Sequence, residues 1–175
     1  MNDQAQIQKD TKQLSIELAS EFLKERIYAT ITLIALLATL WQAADHFTAR
    51  GAALSVFGTT IALWLAVGIA SRMSYHVVNG KRMSAKAYWQ ILRSHAALLI
   101  PAAPVLIMIG ISALGLLSLT AALMISMIML LLSFAGFSLL AGRRTKTNFV
   151  DIILTTVLEI ALGVGVIMIK IVAGH

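Results

Sequence analysis

Long apolar stretches, separated by short polar segments, dominate the sequence. This pattern predicts an all-α membrane helix bundle with five spans, at 27–44, 52–75, 93–114, 118–141 and 148–172. About 20 apolar helical residues are enough to cross a hydrocarbon core roughly 30 Å thick. The run at 96–141 contains no Asp, Glu, Lys or Arg and is too long for one crossing. It must therefore fold back on itself, and Gly115 to Ser118 is the predicted turn.

Local signals predict where these helices end or bend. Asn79 to Arg82 indicates a turn, and Ser84 can cap the helix that follows it. Pro101 and Pro104 fall inside the third span, where a proline removes a backbone donor. We therefore expect a kink in that span.

The segment 1–25 precedes the spans and is polar, with apolar residues that recur on one helical face: Ile7, Leu14, Leu18 and Phe22. It predicts an amphipathic helix that lies in the cytoplasm, along the membrane or merging with the first span. A partner-binding or coiled-coil helix is the alternative, although the heptad pattern is short. The segment lacks a signal-peptide pattern, so we expect the first span to remain as an anchor at the start of a transmembrane domain, 26–175.

Composition supports a membrane protein. Hydrophobic residues make up 59% of the chain and the mean hydropathy is +0.86. Only 13% of the residues are charged, about half the usual share in globular domains. The chain has no cysteine, which excludes disulfides, thiolate metal ligands and cysteine nucleophiles.

The net charge of +6 is explained by membrane orientation without a nucleic-acid partner. With the N-terminus inside, twelve of the 14 basic residues fall in cytoplasmic segments, and only Arg50 and Lys170 lie outside. The positive-inside rule therefore predicts that the N-terminus is in the cytoplasm and the C-terminus is outside. We expect a multi-pass protein of a bacterial cytoplasmic membrane.

The second span carries small residues at every fourth position: Gly58, Ala62, Ala66, Ala70 and Ser74. Small residues at this spacing let two membrane helices approach closely. We call this row the small-residue seam, and we expect it to be a helix-packing face, within the chain or against a second copy or another membrane protein.

Glu159 is the strongest candidate for chemistry because it falls near the middle of the fifth span. An acidic residue at that depth is costly if it faces lipid. Thr155 and Gly163 lie one turn away on either side, while Asn148 and Lys170 return to the same face. This polar face is therefore expected to look into the bundle.

Two interpretations of this face remain open. In one, Glu159 carries a proton or small cation at the membrane midplane, with Asp151 at the inner mouth and Thr155 between them. In the other, Glu159 is neutral and makes one structural hydrogen bond, to Ser133, to Trp64 or to a carbonyl freed by a proline.

Other polar residues give weaker signals. His76 and His95 flank the second cytoplasmic loop and could bind a metal or a lipid headgroup, although an interfacial cluster is favoured. Hydrolase, zinc-protease and nucleotide-binding motifs do not occur in the sequence. We therefore expect no catalytic residue, cofactor or metal, and a non-enzymatic protein.

Several segments resemble a group of small, uncharacterised bacterial integral membrane proteins, best represented in actinobacteria. They begin at Arg26-Ile27-Tyr28, Gly58-Thr59-Thr60, Leu140-Ala141-Gly142 and Ala161-Leu162-Gly163. The resemblance implies the same multi-pass architecture in a bacterial inner membrane, and it implies no activity. For function, we expect a structural or partner-binding membrane subunit, with a proton- or cation-coupled channel or transporter as the alternative.

Overall fold

A computed structural model describes residues 24–144 and 149–173, with the backbone alone at 137–144, 149, 151, 152, 155 and 159. These ranges are helical and contain no strand. The helices are α1 (24–42), α2 (Ala49–Asn79), α3 (Ala85–Ser94), α4 (Ala102–Ala113), α5 (Leu119–Arg144) and α6 (Phe149–Ala173). Short 3₁₀ segments occur at Ala44–His46 and His95–Leu99. The predicted N-terminal helix lies outside the described residues, except for its last two positions.

Three helices in the described ranges are long and apolar enough to cross a membrane: α2, α5 and α6. A fourth candidate is the broken helix formed by α3, the second 3₁₀ segment and α4. The protein is therefore an all-helical membrane protein with three to four candidate spans in the part of the chain that the structure describes.

The core of the bundle is built around α1. Leu33, Ile34, Leu37 and Ala38 are completely buried, at the three- and four-residue spacing of one helical face. They pack in one cluster with residues of three other helices, among them Val56 of α2, Val105 and Ile109 of α4, and Leu123 and Leu130 of α5. Helix α6 contacts α5 and reaches this cluster through Ile167.

Three buried hydroxyl groups donate hydrogen bonds within their own helices. The hydroxyls of Thr60 and Ser126 each donate to the carbonyl four residues earlier, at 2.7 Å. Thr30 does the same toward Arg26 at 2.9 Å. An unpaired hydroxyl in a membrane interior would be costly, and this local bond removes the cost without a partner helix.

The predicted turns are present, with the expected caps. Gly80 ends α2 in the left-handed conformation, at φ 62°, and the Ser84 hydroxyl accepts from the Ala87 amide at 3.2 Å at the start of α3. Between α4 and α5, Gly115 has a φ of 78°. Ser118 then caps α5, because its hydroxyl accepts from the Ala121 amide at 3.2 Å.

The predicted kink in the third span is also present. The segment Ala85–Leu99 and helix α4 are inclined by 52° to each other, with the break at Ile100 and Pro101. Pro104 falls in the first turn of α4, where amide groups have no partner within the helix. Pro101 at the break is therefore the proline that accounts for the bend, and Pro104 is accommodated without loss of a helical hydrogen bond.

Candidate functional site

Three predicted pathway residues, Asp151, Thr155 and Glu159, belong to α6, and their side chains lie outside the described part of the structure. Their positions along the helix can be compared with described neighbours. Glu159 stands one turn before Gly163 and about one turn after Thr156.

The described residues of α6 support only part of the predicted inward face. Gly163 is buried, and a Cβ built there would lie 2.5 Å from Leu131 Cδ2 of α5. Thr156 is buried as well. Lys170, which was expected on the same face, is exposed near the end of the helix. Around Gly163 this face of α6 therefore packs into the bundle, whereas near the C-terminal end of the helix it is exposed.

One of the proposed partners for Glu159 is already engaged. The Trp64 indole Nε1 donates to the Leu92 carbonyl of α3 at 2.9 Å. Leu92 is in the last turn of α3, where carbonyl groups lose their helical partners, so this bond also fixes α3 against α2. Ser133, the second proposed partner, is exposed.

The small-residue seam lies on the outside of the chain. All five seam residues are exposed, and a Cβ at Gly58 would meet no atom within 4 Å. The face that packs into the bundle contains Ala52, Val56, Thr60 and Gly68. Positions two apart on a helix point about 200° apart, so the seam is opposite the packed face. The seam is therefore not a packing face within the described chain.

A basic and apolar groove of about 410 Å³ lies between the last turns of α2 and the start of α3. Its lining combines basic side chains with apolar ones: Arg72, His76, Arg82, Ile69, Met73 and Val77, together with Met83 and Tyr88. The Arg72 guanidinium carbon sits 5.8 Å from the centre of the Tyr88 ring, within reach of a cation–π interaction. We refer to this feature as the α2–α3 groove.

The two histidines considered from the sequence have different surroundings. His76 lines the α2–α3 groove, and its Nδ1 is 3.3 Å from the Lys81 carbonyl oxygen. His95 instead pairs with Glu25 of α1, with His95 Nδ1 2.6 Å from Glu25 Oε2. Within the described ranges, no group of three His, Cys, Asp or Glu residues is placed to hold a metal ion.

The contact between Glu25 and His95 joins the start of α1 to the 3₁₀ segment before the break, and both side chains are largely buried. No sequence signal connects residues 70 positions apart. This contact was therefore missed by sequence reasoning.

Comparison of the chain with protein-family models, curated proteins and solved structures found no match.

Proposed function

We propose that this protein is a non-enzymatic structural or partner-binding subunit of a membrane assembly, and that it associates laterally through the small-residue seam of α2. The observation that supports this proposal is the division of α2 into two opposite faces. One face fills the core of the bundle, while the seam is exposed. Membrane helices associate through close packing, and small residues favour it because they let the backbones approach.

The proposed topology has five spans, with the N-terminus in the cytoplasm of a bacterial cell. On this proposal α1 is a span in addition to the candidate spans α2, the bent α3–α4 unit, α5 and α6. Helix α1 covers 24–42, close to 28 Å at 1.5 Å per residue, which is about one hydrocarbon core. The asymmetric distribution of Lys and Arg supports the orientation.

Helix α6 offers further surface for lateral contact. Only 12% of the residues in its most apolar window, Thr156–Ala173, are buried. Lipid chains can cover an apolar surface of this kind, so the exposure of α6 alone does not require a protein partner. The seam of α2 differs because its residues are small, and this difference is why we assign association to α2.

Ala66→Leu tests the seam. We expect self-association to weaken by about tenfold or more, because the added side chain would separate the two backbones. The measurement is the oligomeric state of labelled protein in liposomes at several protein-to-lipid ratios, by counting photobleaching steps. Ala103→Leu is the matched control, since Ala103 is exposed on α4 and the added bulk is the same. Equal association in wild type and Ala66→Leu would rule out this use of the seam.

A second candidate function is proton or cation transport through Glu159. It is supported by the position of this residue, one turn from Gly163, which is buried against α5. Acidic residues inside membrane bundles commonly belong to proton or ion pathways. On this proposal Asp151 and Thr155 continue the pathway toward the cytoplasm.

Flux measurements in liposomes separate the two candidates. If the protein is a subunit without transport activity, we expect no proton or cation flux above that of empty liposomes across several pH values. Glu159→Gln should then fold normally, while Glu159→Leu should lose about 1 kcal/mol of stability if the carboxyl group makes the structural hydrogen bond that the sequence predicts. Flux in the wild type that disappears in a folded Glu159→Gln variant would instead establish transport.

A further inference from the structure

We propose that the α2–α3 groove binds one anionic phospholipid. Arg72 and Arg82 contact the phosphate, and an acyl chain lies along Ile69 and Met73. This inference does not depend on association through the seam, because no seam residue lines the groove.

The charge around the groove supports an anionic ligand. Three of its lining residues, Arg72, His76 and Arg82, are basic, and none is acidic. The sequence contains no Asp or Glu at any position between Asp45 and Asp151. Helices α2 and α3 and the turn between them therefore supply no carboxylate to the groove. Glu25 of α1 already pairs with His95.

The Arg72 side chain is held in a defined place. Its guanidinium carbon lies 5.8 Å from the centre of the Tyr88 ring. A cation–π interaction at this distance favours the guanidinium near the ring and leaves its N–H groups available for hydrogen bonds to phosphate oxygens. Because Tyr88 belongs to α3, the position of Arg72 depends on how α3 docks on α2.

The position of the groove along α2 fits a lipid at the membrane surface. Helix α2 has 31 residues, which correspond to about 46 Å and exceed the roughly 30 Å hydrocarbon core. This excess lets the last turns of α2, which carry Arg72 and His76, extend beyond the core, and Arg82 follows them in the turn before α3. On α2, Ile69, Met73 and Val77 form one row at four-residue spacing, beside the row that contains Arg72 and His76. Ile69 and Met73 are 55% and 65% exposed. Basic and apolar side chains therefore lie side by side along the groove, so that a lipid with its headgroup at Arg72 and Arg82 can place an acyl chain against Ile69 and Met73.

The apolar walls distinguish a phospholipid from a free anion. Inorganic phosphate would use the basic residues alone and leave Ile69, Met73 and Val77 exposed. A lipid covers both parts, and clusters of Lys and Arg at a membrane surface attract anionic lipids.

The test is a titration of the purified full-length protein with phosphatidylglycerol or phosphatidylcholine in detergent, with bound lipid counted by native mass spectrometry. We expect one phosphatidylglycerol per chain to bind more tightly than phosphatidylcholine. In the double variant Arg72→Gln/Arg82→Gln, this affinity should fall by about tenfold or more. The control Arg50→Gln/Arg93→Gln removes the same charge outside the groove and should retain the affinity within about twofold.

Three outcomes would overturn the proposal. Equal losses in both double variants would mean that net charge, and not the groove, attracts the lipid. Equal binding of phosphatidylcholine would exclude recognition of the anionic headgroup. Displacement of the lipid by an equal concentration of inorganic phosphate would indicate an anion site to which the apolar walls contribute nothing. Circular dichroism of each variant verifies that the helices are intact.

Discussion

Leu37→Ala is expected to lower the free energy of unfolding by about 2 kcal/mol, near the low end of the range for soluble proteins. Leu37 is completely buried at the centre of the core, where α1 meets α2, α4 and α5. Lipid chains are as apolar as leucine, so the substitution loses little transfer free energy. The substitution loses instead the van der Waals contacts of the removed atoms, because the three surrounding helices can close the cavity only partly.

The measurement is equilibrium unfolding in mixed micelles, followed by circular dichroism. Leu132→Ala provides the matched control, since Leu132 is 67% exposed on α5. Its stability should change by less than about 0.5 kcal/mol, as for other exposed positions. Similar losses at both positions would contradict the central placement of α1.

Gly68→Leu is expected to separate α3 from α2 and to cost about 2–3 kcal/mol, as overpacking does in other tightly packed cores. A Cβ at position 68 would lie 2.8 Å from Leu92 Cδ2 and 3.3 Å from the Tyr88 hydroxyl. The longer leucine side chain would displace both residues. It would therefore break the hydrogen bond from Trp64 to the Leu92 carbonyl and disturb the α2–α3 groove.

Tryptophan fluorescence can follow this change. In a background where Trp41 and Trp89 are replaced by phenylalanine, the emission reports the surroundings of Trp64 alone. We expect the emission maximum of Trp64 to shift in Gly68→Leu. We also expect this variant to bind phosphatidylglycerol more weakly than the wild type.

Gly58→Leu is the control on the same helix. A Cβ at position 58 meets nothing within 4 Å, so the Trp64 emission and the stability of the bundle should remain those of the wild type. Because Gly58 belongs to the seam, self-association is expected to weaken instead. If Gly58→Leu also shifted the Trp64 emission, the two faces of α2 would not be independent.

The features that were predicted well depend on residues close together in the sequence. The turn at Gly115 to Ser118 follows from a glycine with positive φ and a serine that caps the next helix. The bend at Pro101 follows from the missing amide of proline. In each case the residue responsible lies within one or two helical turns of the turn or bend that it produces. The neighbouring helices are therefore not needed to predict these features.

The candidate sites were less predictable because they depend on how helices pack. The seam was recognised from its spacing, but the spacing did not reveal that it faces away from the bundle. The sequence grouped His76 with His95, whereas the structure pairs His95 with Glu25 and places His76 in the α2–α3 groove. For Glu159, Asp151 and Thr155, the inward orientation of the side chains remains a prediction.

The sequence by itself determined the membrane class, the helical nature of the described chain and the ends of several helices. These properties follow from composition and from local turn and capping residues, which act without reference to the rest of the fold. Only the tertiary structure decided that α1 is central, that the seam is exposed and that α2 and α3 enclose a basic groove. In water, an apolar stripe marks the buried face of a helix. In lipid, both faces are apolar, so the face that packs is selected by the shape of the neighbouring helices.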